Sequence, residues 1–201
     1  VGADDTVGSI AGSGAINLGD QSLTVGGDNS SAEFSGVVSG TGGLEKQGTG
    51  TLTLSGANSY SGATTINAGA LSISGSLSDG TAVNVGGSGT YELGADDTVG
   101  SIAGSGAINL GDQSLTVGGD NSSTEFSGVV SGAGALTKTG GGQLSLSGAN
   151  AYTGSTSINN GTLLVSGSLS DGTAVNVGGS GTYEVGADET VGSIAGSGAI
   201  N

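Results

Sequence analysis

Residues Gly42 to Gly75 read GGLEKQGTGTLTLSGANSYSGATTINAGALSISG, and residues Gly134 to Gly167 read GALTKTGGGQLSLSGANAYTGSTSINNGTLLVSG, with no gap between the two. The offset is 92 residues. It holds outward in both directions: Gly2-Ala3-Asp4-Asp5-Thr6-Val7 returns at Gly94, and again as GADETV at Gly186. The chain is thus two whole units, 1–92 and 93–184, and the start of a third, 185–201. A long internal repeat takes precedence over a domain count by length and points to a solenoid or a tandem array.

The two units differ at 17 positions, and the pattern of the differences is informative. From Thr41, just before the quoted stretch, they fall at 41, 43, 45, 47, 49, 51 and 53, at 59, 61, 63 and 65, and at 68, 70 and 72. A strand points successive side chains to opposite faces, so this alternation means that one face of a β-structure drifts while the other is held. The held set includes Leu44, Leu52, Leu54, Ile66 and Leu71. The swap of Ile73 for Val165 breaks the parity but stays apolar and β-branched, as a core position requires. The drifting set is small and polar apart from Leu164, which stands opposite Ser72.

Helix is disfavoured because Gly, 46 of 201 residues, recurs every few positions and each interior Gly costs a helix about 1 kcal/mol relative to Ala. Short strands joined by Gly, Asn, Asp and Ser turns remain. A weaker repeat lies inside the unit: Ser101 to Ile108 aligns with Val129 to Leu136, and Ser157 to Leu163 follows the same plan. Ile102, Val130 and Ile158 are each 28 residues apart, with 36 more to Ile194. This spacing predicts three coils per unit with those residues stacked in one column.

The expected strands of the second unit lie around Ser101 to Ile102, Ala107 to Asn109, Ser114 to Val117, Gly128 to Val130, Ala135 to Lys138, Gln143 to Leu146, Ser155 to Ile158, Thr162 to Val165 and Ala174 to Val177. Thr182 to Val185 reads as an extra strand or extended turn. The fold class expected is all-β: one continuous right-handed parallel β-helix over residues 1–201, of roughly six or seven coils and about 30 Å in length. A string of antiparallel sandwiches of about 90 residues is the rival, but it calls for buried aromatics and Pro-marked edges. Pro is absent and aromatics number six.

Seventeen acidic residues against two lysines, with no Arg or His, give a net charge of −15 and no cationic surface for phosphates, which sets aside nucleic acid and disfavours anionic membrane. Without Cys there is no disulfide or thiolate metal site, and without His the commonest metal ligand and general base is missing. No apolar run reaches the 18 or so residues that span a bilayer. The chain starts and stops mid-unit and reads as a piece of something longer, with no signal peptide in it. Open strand edges at the two ends of such a piece predict end-to-end stacking of chains.

Over Gly42 to Leu71 and Gly134 to Leu163 both copies follow G-x-L-x-K-x-G-x-G-x-L-x-L-S-G-A-N-x-Y-x-G-x-T-x-I-N-x-G-x-L. This pattern resembles the passenger-associated transport repeat of bacterial autotransporters, also called the autotransporter-associated β-strand repeat. The resemblance implies a secreted passenger on the surface of a Gram-negative cell, folded as a β-helix and exported through the outer membrane by its own C-terminal barrel. It implies a structural part in secretion and folding of the passenger and in the stalk of an adhesin.

Candidate chemistry is sparse. Asp4-Asp5 and Asp96-Asp97 could pair as acid and base, but adjacent residues in a strand or turn point apart. Lys46 and Lys138 could activate a Ser; sitting on the held parity, they are expected instead to bridge a carboxylate or cover a corner. Gly26-Gly27-Asp28-Asn29 and Gly118-Gly119-Asp120-Asn121 have a calcium-roll flavour without its nine-residue tandem. An ice-binding Thr ladder is broken where Thr51-Leu52-Thr53 becomes Gln143-Leu144-Ser145. Tyr60 and Tyr152, on the held face, are expected to pack. No catalytic, cofactor or metal residue is therefore assigned and no cofactor or small-molecule substrate expected. The two remaining classes are a stalk, which could also self-associate between cells, and a module whose drifting face or Glu184 to Ile194 segment binds a host ligand.

Overall fold

The computed structural model describes residues 3–201. Every regular element among them is a β-strand, from Asp5–Val7 to Ala199–Ile200, and every paired strand runs parallel to its neighbour. One column of registered partners climbs through Asp5, Leu23, Leu44, Thr64, Val83 and Ile102. Another climbs through Asp97, Leu115, Leu136, Thr156, Val175 and Ile194. Parallel neighbours that each return after one circuit of the chain make a β-solenoid. The circuit is short: Tyr183 meets Ile200 after 17 residues and Gly104 meets Phe126 after 22. The chain makes about ten turns, and at about 4.8 Å per turn the rod is roughly 50 Å long.

The expectation of three coils per 92-residue unit is therefore corrected. Ile102 pairs with Val83, Val130 with Ile108, and Ile158 with Lys138 and Val177, so the three residues stand on different faces and not in one column. The 28-residue spacing covers four faces, about one and a third turns. What recurs at that spacing is corner chemistry: Gly104 and Gly132, aligned by it, both have positive φ, at 110° and 112°. A corner of this kind needs a residue that tolerates that backbone, so such corners resemble one another whether or not they stack.

A unit of 92 residues spans fourteen faces, about four and two-thirds turns. Leu44 belongs to the first column above, and its copy Leu136 to the second. Successive units are thus displaced by one face around the rod. The expected strands exist, but Thr156–Val165 and Ala174–Val185 each run unbroken around a corner that was expected to interrupt them. Asp97–Val99 and Thr124–Phe126 are strands that the spacing did not reveal.

The alternation holds residue by residue. Leu44, Leu52, Leu54, Ile66 and Leu71 are buried, as are Ile73 and its counterpart Val165, while none of the alternating drifting positions is buried in either unit. Each fully buried Leu or Ile contributes roughly 1.5–3 kcal/mol. These side chains fill the interior together with Tyr60, Tyr91, Tyr152 and Tyr183. Tight stacking of backbone on backbone explains much of the Gly: a Cβ on Gly128 would lie 1.8 Å from the carbonyl oxygen of Gly106 on the neighbouring turn.

Candidate functional site

Several of the polar residues held between the two units point inward, and they form repeating clusters that bridge turns. The strand Leu44–Lys46 alternates in, out, in, which turns Lys46 into the interior beside Val25 and Ile66. The side chain is 1% exposed. Its ammonium donates to the carbonyls of Gln47 at 2.5 Å, Gly48 at 2.9 Å and, on the next turn, Ala68 at 3.3 Å. Lys138 repeats the arrangement with the carbonyls of Thr139, Gly140 and Asn160. Burial holds both amines below the usual lysine range, opposed at Lys138 by the charge of Asp120. Of the two roles expected for these lysines, covering a corner is the one they play.

Asn58 sits in the Ser-Gly-Ala-Asn segment at a position where its own strand is interrupted. Its side-chain oxygen accepts the Val38 amide at 3.0 Å, and its side-chain amide donates to the carbonyls of Gly56 at 2.9 Å and Ser76 at 3.1 Å. Asn150 does the same with Val130, Gly148 and Ser168. Two residues on, Tyr60 is fully buried with its hydroxyl 2.7 Å from Thr64 Oγ1, and Tyr152 pairs likewise with Thr156 at 2.6 Å. Burial raises both phenols above their ordinary range.

The aspartate pairs do not converge. Asp4 accepts the Ser22 amide at 2.8 Å and Asp96 accepts the Ser114 amide at 2.7 Å, both facing solvent. Asp5 accepts the Thr6 amide, whereas Asp97 turns inward, 4% exposed, to accept the Tyr91 hydroxyl at 2.5 Å. At the Gly26 to Asn29 corner the Asp28 carboxylate is engaged by the amide and hydroxyl of Ser30, which lower its pKa, and Asn29 Oδ1 accepts the Thr49 amide. At the matching corner burial pushes Asp120 up, but hydrogen bonds from the Ser122 amide and from the Ser101 and Ser122 hydroxyls outweigh it. The lysine ammonium lies 3.2 Å from the Cβ position of Gly26 and 3.1 Å from that of Gly118. A lysine side chain therefore stands against each of these corners. Among the described residues no three His, Cys, Asp or Glu side chains gather to hold a metal.

Thr51 and Gln143 face outward, as do Thr53 and Ser145. In the Glu184 to Ile194 segment the two ends lie in the strands Ala174–Val185 and Ser193–Gly196. Residues 186–192 between them form no strand and are tied to the preceding turn by the Gly186 amide on Val165 O at 2.7 Å and the Gly192 amide on Thr173 O at 2.9 Å. Among outward features, a shallow depression of about 180 Å³ is lined by Ser22, Gly43, Leu44, Glu45, Ala63 and Thr65. It joins no nucleophile to a base, and the second unit carries Thr137 in place of Glu45. The inward roles of Asn58, Tyr91 and Asp97 were missed by sequence reasoning. The available signal was that Asn58, like Lys46, is polar yet held between the units.

A family model described as passenger-associated-transport-repeat matches residues 44–73 and 136–165. The chain carries two passenger-associated-transport repeats. Each repeat covers five successive faces of the solenoid and contains the buried lysine, the asparagine bridge and the Tyr–Thr pair. The pattern thus carries the contacts that stack a turn on its neighbours. The chain is also 37% identical over 149 residues to the adhesin BmaC autotransporter of Brucella suis biovar 1 (strain 1330), an alignment that covers 68% of this chain and 4% of that protein. The chain thus corresponds to a small fraction of the relative's length. No solved structure matches it.

Proposed function

We propose that this region is a non-enzymatic stalk segment in the passenger of a surface-displayed autotransporter adhesin, carried across the outer membrane of a Gram-negative cell by a barrel in the same polypeptide. The observation that carries the reading is the side-chain-filled stack of about ten turns, in which Lys46, Asn58 and their copies Lys138 and Asn150 carry hydrogen bonds from one turn to the next. The two repeats and the similarity to an autotransporter adhesin support the cellular setting. The outward face supports extension over recognition: it is built mainly of Ser, Thr, Gly, Ala and Asn, and it varies between units far more than the inward face, where Ile73 becomes Val165. Inside a passenger such a rod adds about 4.8 Å of reach per turn.

The test is a glycan and matrix-protein binding screen with the purified region. The stalk reading expects no saturable ligand. A saturable ligand whose binding is lost on changing drifting-face residues would replace it with a module that binds the host directly.

A further inference from the structure

We infer that Asp97 and Tyr91 form a hydrogen-bonded lock between consecutive 92-residue units, built on a buried carboxyl that favours the fold more once it is protonated, and that the change to Glu189 at the next junction leaves the matching lock open. Asp97 is the fifth residue of the second unit. Its Oδ2 accepts the Tyr91 hydroxyl at 2.5 Å and its Oδ1 accepts the Leu77 amide at 3.1 Å, both groups belonging to the first unit. Its own amide donates to Ser114 O at 3.1 Å, and Leu115 is its registered partner, both in the second unit. One buried carboxylate thereby ties the end of one unit to the start of the next.

The titratable and charged groups facing Asp97 are Tyr91, Tyr60 and Asp79, none of them cationic. The carboxylate has the Tyr91 hydroxyl and the Leu77 and Thr98 amides as donors and no counter-charge. Burial accordingly raises its pKa above 3.8, opposed by the hydrogen bonds from Tyr91, Leu77 and Thr98. A carboxyl whose folded value lies above its unfolded one binds a proton in the fold first, so its contribution to stability rises as the pH falls through the folded value.

At the following junction the same three places are taken by Leu169, Tyr183 and Glu189. Both Glu189 oxygens accept the Leu169 amide, at 3.0 and 3.2 Å. The Tyr183 hydroxyl, on a side chain 1% exposed, has no partner. The Glu189 carboxylate is thus engaged by a backbone amide, and the phenol beside it is unpartnered. The sequence holds the contrast within one chain: the junction motif is GADDTV at 94–99 and GADETV at 186–191.

Urea unfolding of the whole chain at pH 7.5 and 4.5, in dilute solution, tests both halves. Against Asp97→Asn, the unaltered chain should gain midpoint concentration on acidification, whereas parallel pH dependences would overturn the acid response. Glu189→Asp should raise the midpoint at pH 7.5, and an unchanged or lowered midpoint would overturn the open lock. If Asp97→Asn fails to fold, the Asp97 carboxyl carbon is titrated by NMR in the unaltered chain. A midpoint above that of an ordinary aspartate upholds the lock and one at or below it overturns it.

Discussion

The amide of Val38 donates to the side-chain oxygen of Asn58 at 3.0 Å, joining one turn to the next where the backbone ladder is interrupted. The same side chain donates onward to Ser76 O at 3.1 Å, so a single buried residue, 3% exposed, bridges three successive turns. Asn58→Ala would leave the Val38 amide and two carbonyls without this partner. The expected loss is about 1–3 kcal/mol for each unsatisfied buried group that water cannot reach. Urea unfolding measures it, and Asn150→Ala should match it because its bridge has the same geometry.

Glycine tolerance should follow distance, not composition. A Cβ at Gly128 would meet Gly106 O at 1.8 Å, whereas at Gly80 nothing lies within 4 Å and φ is not in the left-handed region. Gly128→Ala is expected to destabilise the rod severely. Gly80→Ala should be neutral or stabilising by about 0.4–1 kcal/mol through the unfolded chain. Thermal melts of the two variants distinguish them.

The alternation of held and drifting residues gave away the buried face, down to the inward lysines, because packing constrains one side of a strand and solvent does not constrain the other. The turn length was not legible. The corners at Gly104 and Gly132 share their backbone geometry, and that likeness imitates a period of 28 residues. The strand Thr124–Phe126, in the polar run Asn-Ser-Ser-Thr-Glu-Phe, offered no apolar alternation to reveal the missing face. Asp97 escaped notice because its neighbour Asp96 faces water and the pair reads as a solvated turn. Only the register, which sequence does not display, separates them.

Lys46 should give the rod a stability that increases in alkali. Burial depresses its amine below 10.5, so between the folded value and 10.5 the unfolded chain binds the extra proton and stability rises with pH. Lys46→Met removes both this dependence and the three carbonyl contacts. The unaltered chain should gain on the variant as the pH climbs towards 10.5, as read by urea midpoints. A constant difference would mean that the amine is not held in the interior.

Both lysines are buried and Arg and His are absent, so the outer surface carries no cationic side chain against its many carboxylates. Rods should repel one another sideways. Static light scattering in about 10 mM salt should give a positive second virial coefficient that shrinks in about 150 mM salt, as the Debye length falls to about 8 Å.

The central claim is a parallel stack with a turn of about 20 residues, and paired cysteines in a chain that has none test it most directly. Thr116 and Thr137 are registered neighbours facing outward, at the roughly 4.8 Å strand spacing, within the range a disulfide spans. Ala103 and Ser131, separated by the 28-residue interval, pair with Asn84 and Asn109 instead of with each other. Under mild oxidation the Thr116→Cys/Thr137→Cys variant should close an intramolecular disulfide and the Ala103→Cys/Ser131→Cys variant should not. The opposite outcome would contradict the account.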